Sequence, residues 1–127
     1  DQYECRLVQL KIEESKSIFF DGMAGSIIPV MVSHGEGKAV FSTKQSNVVA
    51  RYVDPLHRTT KHYPFNPNGS EEGAAGVCNN DGRIMIMMPH PERTYLAKQY
   101  SWSPKEWNHF SPWFKMFDNA YQFAKKN

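Results

Sequence analysis

The stretch Ala74-Ala75-Gly76-Val77-Cys78-Asn79-Asn80-Asp81-Gly82-Arg83-Ile84-Met85-Ile86-Met87-Met88-Pro89-His90-Pro91-Glu92-Arg93 holds the clearest structural signal in the chain. Two apolar runs, Ala74 to Cys78 and Arg83 to Met88, flank Asn79-Asn80-Asp81-Gly82, and an Asp-Gly pair between such runs predicts a β-hairpin. The second strand leads directly into Pro89-His90-Pro91-Glu92. Prolines on both sides of His90 restrict the backbone to extended conformations and exclude a helix there.

Upstream, Tyr3 to Ile12 alternates apolar and polar with one slip of phase at Leu7-Val8. The period of two predicts a half-buried strand, bulged at the slip. Gly22, Gly25 and Pro29 punctuate a loop leading into Ile27 to Val32, where the internal proline indicates a short or edge strand. That run ends in Ser33-His34-Gly35-Glu36-Gly37, a glycine-bracketed polar turn of the kind on which a scaffold displays binding residues. Lys38 to Phe41 and Val48 to Val53 read as two more short strands, and the segment from Asp54 to Ser70, with three prolines, as a turn-rich excursion.

Downstream, Ser111-Pro112 opens the one clear helix, with Ser111 as N-cap and Pro112 in the first turn. Trp113, Met116, Phe117, Ala120, Tyr121 and Ala124 follow helical spacing and are the expected buried stripe. No internal repeat or low-complexity tract interrupts the pattern. It is strand-rich with a C-terminal helix.

The 127 residues suit one folding unit and leave no room for two ordinary domains. Apolar side chains make up 40% of the chain, enough for a core. Fifteen basic residues against thirteen acidic give a net charge of +2, too small to argue for nucleic acid or an anionic membrane as partner. No apolar run approaches the length of a membrane helix. Cys5 and Cys78 form no disulfide framework, and no secretory leader is visible, so a cytoplasmic location is expected.

His90 and Glu92 are the prime candidates for chemistry. Residues two apart in extended chain project to the same side, and a carboxylate beside an imidazole fixes its tautomer and stabilises the imidazolium formed on proton uptake. Such a pair is the base-and-orienter half of a nucleophilic triad. Short His-x-Glu matches also arise by chance, which leaves a plain solvent-facing turn as the competing reading. A zinc deaminase would need a Pro-Cys-x-x-Cys downstream, and no cysteine follows position 78. A mixed site of His34, Glu36, His90 and Glu92 is the remaining metal reading, and no spacing supports it. The aromatics of the last quarter, among them Tyr100, Trp102, Trp107, Phe110, Trp113, Phe114 and Phe117, lack interleaved basic residues and read as core rather than base-stacking surface.

Together these motifs resemble one family. Pro89-His90-Pro91-Glu92 looks like the His-Pro-Glu signature of class I, triad-type glutamine amidotransferase domains. The ordered set Gly22-Met23-Ala24-Gly25-Ser26, Ser33-His34-Gly35-Glu36-Gly37, Arg51-Tyr52-Val53-Asp54, Asn66-Pro67-Asn68-Gly69-Ser70, Met87 to Arg93 and Ser111-Pro112-Trp113 is similar to the large, single-chain formylglycinamide ribonucleotide amidotransferases (phosphoribosylformylglycinamidine synthases) of purine biosynthesis. The resemblance runs from end to end of the chain.

It implies an α/β fold, the second half of a flavodoxin-like amidotransferase domain, with residues 1–127 as its C-terminal portion. The nucleophilic cysteine of the family sits on a strand-to-helix elbow in the first half. It is therefore expected upstream of Asp1, and the absence of an initiator Met accords with a cut there. Gly76-Val77-Cys78-Asn79 echoes that elbow but sits in a hairpin and is not followed by a helix; Cys5 has no glycine beside it. Neither is expected to be the nucleophile.

The resemblance makes His90 and Glu92 the catalytic pair and places Ser33, His34, Gly35 and Glu36 at the glutamine pocket. No metal or cofactor is implied in this segment; ATP and magnesium would belong to a synthetase domain of the same polypeptide. The rivals from other classes are a non-catalytic interaction module and a small metal hydrolase. One departure from the family lies at Lys44-Gln45-Ser46-Asn47, where relatives carry a longer helical segment.

Overall fold

A computed structural model describes residues 2–127. The alternating run at the start becomes β1 (Glu4–Ile12), whose Glu4, Val8, Leu10 and Ile12 are buried. It pairs antiparallel with β2 (Ile27–His34) in an unbroken register from Glu4 opposite His34 to Lys11 opposite Ile27. The bulge expected at Leu7-Val8 is therefore not there. Leu7 simply points to the other face of the strand, where Val53, Pro64 and Phe65 share a shallow groove with it.

β3 (Val48–Val53), β4 (Ala74–Cys78) and β5 (Met85–Met87) complete a five-stranded antiparallel sheet in the order β2-β1-β3-β4-β5. Register shifts occur between β3 and β4, on either side of Ala50. β2 is an edge strand, as its proline requires: Pro29 has no N–H to leave unpaired at an edge.

The hairpin of β4 and β5 forms where the sequence predicts it. Asn79 and Asp81 accept hydrogen bonds from the backbone of Ile84 and Arg83, and Gly82 has φ +74°. A side chain at Gly82 would also collide with the Lys16 carbonyl, while its own carbonyl accepts from Ile18 N–H at 3.0 Å. Both the backbone conformation and the close approach demand glycine.

The strand expected at Lys38 to Phe41 does not form. Its backbone groups are taken by another turn: Ala39 N–H donates to Ser70 Oγ, Glu71 N–H to the Ala39 carbonyl, and Phe41 N–H to the Glu71 carboxylate. Residues 42–47 continue as bends without a helix.

The helix α1 (Phe114–Lys126) begins two residues later than expected. Trp113 rather than Ser111 stands at the N-cap, with no side-chain cap bond; Ser111 Oγ instead accepts from Trp113 N–H at 3.2 Å in the turn ahead of the helix, and three-residue bonds from Phe114, Lys115 and Met116 lead into it. Asn119 pins α1 through two bonds, to the carbonyls of Phe19 and Asp21. Of the expected buried stripe only Trp113 and Met116 are in the core; Phe117, Tyr121 and Ala124 are not. Of the late aromatics, Tyr100 and Trp113 are buried, whereas Trp102, Phe110 and Phe114 are exposed. Phe110 and Phe114 stack on each other at 4.1 Å between ring centroids, a local substitute for core contact. The sheet and helix thus share one core, centred on Leu10, Ile12, Val30, Val32, Tyr52 and Trp113.

Candidate active site

His90 lies just beyond the end of β5, and its backbone N–H donates to the Met31 carbonyl of β2 at 2.8 Å. The chain does not stay extended afterwards. Pro91–Arg93 form a short 3-10 turn, which Pro91 favours by its fixed φ. The turn nevertheless brings the two side chains together: His90 Nδ1 is 2.6 Å from Glu92 Oε1. With its proton on Nδ1, the imidazole donates to the carboxylate and leaves Nε2 free as an acceptor. The His90 side chain is 31% exposed and that of Glu92 56%, so the pair opens to the surface rather than to the core.

Ser33 and His34 are the last two residues of β2 and point to opposite sides of it. Ser33 Oγ is hydrogen-bonded to Tyr3 OH. The His34 ring packs under the following turn, and a Cβ placed on Gly37 would lie 2.6 Å from Nε2 and 2.7 Å from Nδ1. Both ring nitrogens of His34 are buried without a hydrogen-bond partner. Burial is the main force holding its pKa below the ordinary 6.5; the residue's own backbone and, more weakly, Glu4 oppose the lowering, and the nearby His90 adds to it.

Gly35, Glu36, Gly37 and Lys38 form one wall of an open cleft of about 560 Å³, with Asn68 and Met88 opposite. That volume falls within the range of small-molecule sites. Of the four residues expected to bind glutamine, the structure brings Gly35 and Glu36 to this cleft. Ser33 and His34 stand beside it without lining it. Met88 of this lining stands two residues before His90 in the chain; His90 and Glu92 themselves do not line the cleft.

Lys38 and Asn68 were not foreseen from the sequence. The Asn66-Pro67-Asn68-Gly69-Ser70 motif was the available signal. Its fully buried Asn66 donates to the carbonyls of Thr60 and Ser70 and accepts from Ser70 N–H, all at 3.0 Å. Ser70 Oγ in turn holds the 37–39 segment through Gly37 and Ala39. The motif is a brace that shapes the cleft wall and presents Asn68, whose buried Oδ1 has no partner.

Cys78 is buried in β4, and burial pushes its thiol up, the reverse of what an attacking thiolate needs. Cys5 is exposed on β1. Among the described residues no group of three or more His, Cys, Asp or Glu side chains is placed to hold a metal ion, so His34, Glu36, His90 and Glu92 do not assemble the mixed site considered above. No helix among the described residues is long and apolar enough to cross a membrane.

The family model of the CobB/CobQ-like glutamine amidotransferase domain matches residues 1–124. The chain belongs to that family. The amidotransferase domain is also similar to the solved structure of PurLQS from Thermotoga maritima, with a TM-score of 0.72 and 27% sequence identity over 97% of this chain. The match spans 49% of the Thermotoga chain, so this chain has about half that protein's length. Both findings agree with the formylglycinamide ribonucleotide amidotransferase type read from the ordered motifs, and the curled five-stranded sheet with its C-terminal helix is part of an amidotransferase-like α/β fold.

Proposed function

We propose that this domain is the acid–base half of a glutaminase that supplies ammonia for the conversion of formylglycinamide ribonucleotide to formylglycinamidine ribonucleotide. The 2.6 Å His90–Glu92 pair carries the reading, because an amidotransferase domain with a paired imidazole open to the surface has the base and orienter that amide hydrolysis needs.

On this reading the nucleophile is a cysteine of the upstream half of the domain, in the same polypeptide. His90 Nε2 takes the proton of the cysteine's thiol, and the thiolate adds to the side-chain amide carbon of glutamine. The tetrahedral adduct then collapses, breaking the C–N bond, and ammonia leaves with a proton given by His90 Nε2. Water, deprotonated by His90, hydrolyses the resulting thioester to glutamate and returns the thiol. Glu92 keeps the proton of Nδ1 in place and stabilises the charged ring. By itself the present segment, without that cysteine, is not a glutaminase.

The cleft supplies chemistry for the amino-acid end of the substrate. Glu36 and Lys38 on one wall match the opposite charges of the α-ammonium and α-carboxylate, and the unpartnered Asn68 Oδ1 offers an acceptor for an N–H. ATP and magnesium belong to a synthetase domain of the same polypeptide, which receives the ammonia, and no step on this chain is routed through them.

The test uses the full-length enzyme. His90→Ala should lower glutamine-dependent synthesis by about 10²- to 10⁴-fold, the usual worth of a general acid–base residue, while synthesis from added ammonium salt continues. Loss of both activities would overturn the reading and assign His90 a structural role.

A further inference from the structure

The segment carrying His90 is tied to the start of the C-terminal helix by a closed circuit of hydrogen bonds. His90 N–H donates to Met31 O at 2.8 Å, while the His90 and Pro91 carbonyls accept from Arg93 and Thr94 N–H at 3.1 and 3.0 Å. The Thr94 carbonyl accepts from Ser111 Oγ, and that same hydroxyl accepts from Trp113 N–H at 3.2 Å. Trp113 Nε1 then donates to Pro29 O at 2.8 Å, two residues from Met31 on β2, which closes the circuit. Tyr100 OH donates to the same Pro29 carbonyl at 2.6 Å.

The parts of this circuit are unusually well buried. Trp113 is fully buried, Thr94 is 1% exposed, Ser111 3% and Tyr100 9%. β2 is the edge strand, so no neighbouring strand fixes the position of its outer side. Two side-chain donors converge instead on one carbonyl of that edge, next to the residue that holds His90. Ser111 Oγ does double duty: it accepts from Trp113 N–H in the turn before α1 and grips the turn that follows His90–Glu92. Helix formation does not require Trp at 113; the indole fills a fully buried site against Phe20, and its N–H has Pro29 O as its partner.

We infer that Trp113, with Tyr100 and Ser111, is a positioning residue for the general base, setting the placement of His90 through the β2 edge and the Thr94 turn. This rests on the reading of His90 as the acid–base residue. None of the three touches the reacting atoms. A misplacement of the base by a fraction of an ångström is costly because proton transfer needs hydrogen-bond reach and alignment in the transition state.

The experiment uses the full-length enzyme with Tyr100→Phe, which strips one donor from Pro29 O and keeps the ring, Trp113→Phe, which strips the other donor and also trims the indole to a phenyl ring, and their combination. Glutamine-dependent kcat should fall about threefold in each single variant and about tenfold in the double, as expected for the loss of one and two net hydrogen bonds. KM for glutamine should stay within about twofold, and ammonia-dependent synthesis should be unchanged, since both are independent of the acid–base step. Ser111→Thr should retain kcat and Ser111→Ala lose it about threefold.

An unchanged kcat in the folded double variant would overturn the inference. So would a parallel fall of kcat, glutamine affinity and ammonia-dependent synthesis, which marks general destabilisation. If the double variant does not fold, the Tyr100→Phe single variant decides by the same criteria. His90→Ala run alongside separates the two levels: glutaminase activity surviving that change refutes the underlying reading, whereas its loss with normal rates in the Pro29-donor variants refutes the positioning role alone.

Discussion

Two histidines stand within electrostatic reach of each other and are treated in opposite ways. His90 has a carboxylate at Nδ1, a free Nε2 and partial exposure to solvent. His34 has neither nitrogen paired, both of them buried, and its ring capped by the Gly37 backbone. One ring is paired and opens to solvent, the other is unpaired and enclosed. What differs is the neighbour. A carboxylate two residues away pairs with one nitrogen of His90, which fits the acid–base role proposed for it, while a glycine three residues away closes over the ring of His34.

The most severe way to break that contrast is to neutralise the partner of His90. Glu92→Gln keeps the shape but removes the charge that stabilises the imidazolium, and its amide can present an N–H to the wrong ring nitrogen. Because the Glu92 side chain is 56% exposed, water screens part of the effect. Glutamine-dependent kcat in the full-length enzyme should fall between about 10- and 100-fold, less than in His90→Ala. Steady-state rates with glutamine and with ammonium salt check this. A change below about twofold would reduce the pair to a surface ion pair.

The next largest effect is structural and lies on the His34 side. In Gly37→Ala the new methyl would meet the His34 ring, so the ring or the turn must move. Overpacking of this kind costs about 1–3 kcal/mol. In a His34→Ala background the obstacle is gone and the same change should cost less than about 0.5 kcal/mol. Denaturant midpoints of the four proteins in this cycle measure the coupling. Additive effects would show that the ring and Gly37 do not press on each other.

Why was one histidine legible in the sequence and the other not? His90 and Glu92 are neighbours along the chain, and a local pattern between prolines was enough to pair them, although a 3-10 turn rather than extended chain makes the contact. The hairpin and the edge strand with Pro29 were legible for the same reason: each is local chemistry. His34 depends on how the Gly35-Glu36-Gly37 turn folds back over its ring, a conformation that the residue types there permit but do not specify. Lys38 was misassigned to a strand because its apolar neighbours suggested one, whereas Ser70, more than thirty residues away, claims the backbone. The aromatic stripe of α1 misled similarly. Helical spacing shows that Phe117 and Tyr121 share a face with Trp113, but not how far the sheet extends beneath that face.

The smallest expected effect sharpens the contrast through pH. Folded, His34 holds a proton more weakly than its ordinary pKa of 6.5 would allow, chiefly because the ring is buried. The unfolded chain therefore takes up a proton near pH 6.5 that the folded protein does not accept until lower pH. This group's contribution to stability is at its fullest above 6.5 and declines as pH falls from 6.5 toward the lowered folded value. One proton limits the slope to about 1.4 kcal/mol per pH unit. In His34→Gln that component should vanish, so the variant should lose less stability than the parent between pH 7.5 and 5, even if it is less stable at pH 7.5. His90 and Glu4 act on the same ring with opposite signs, and both remain in the variant, so the difference isolates the buried imidazole. Denaturant midpoints across that range provide the measurement. Identical pH slopes in parent and variant would mean that His34 takes up its proton as readily folded as unfolded, and the contrast with His90 would fail.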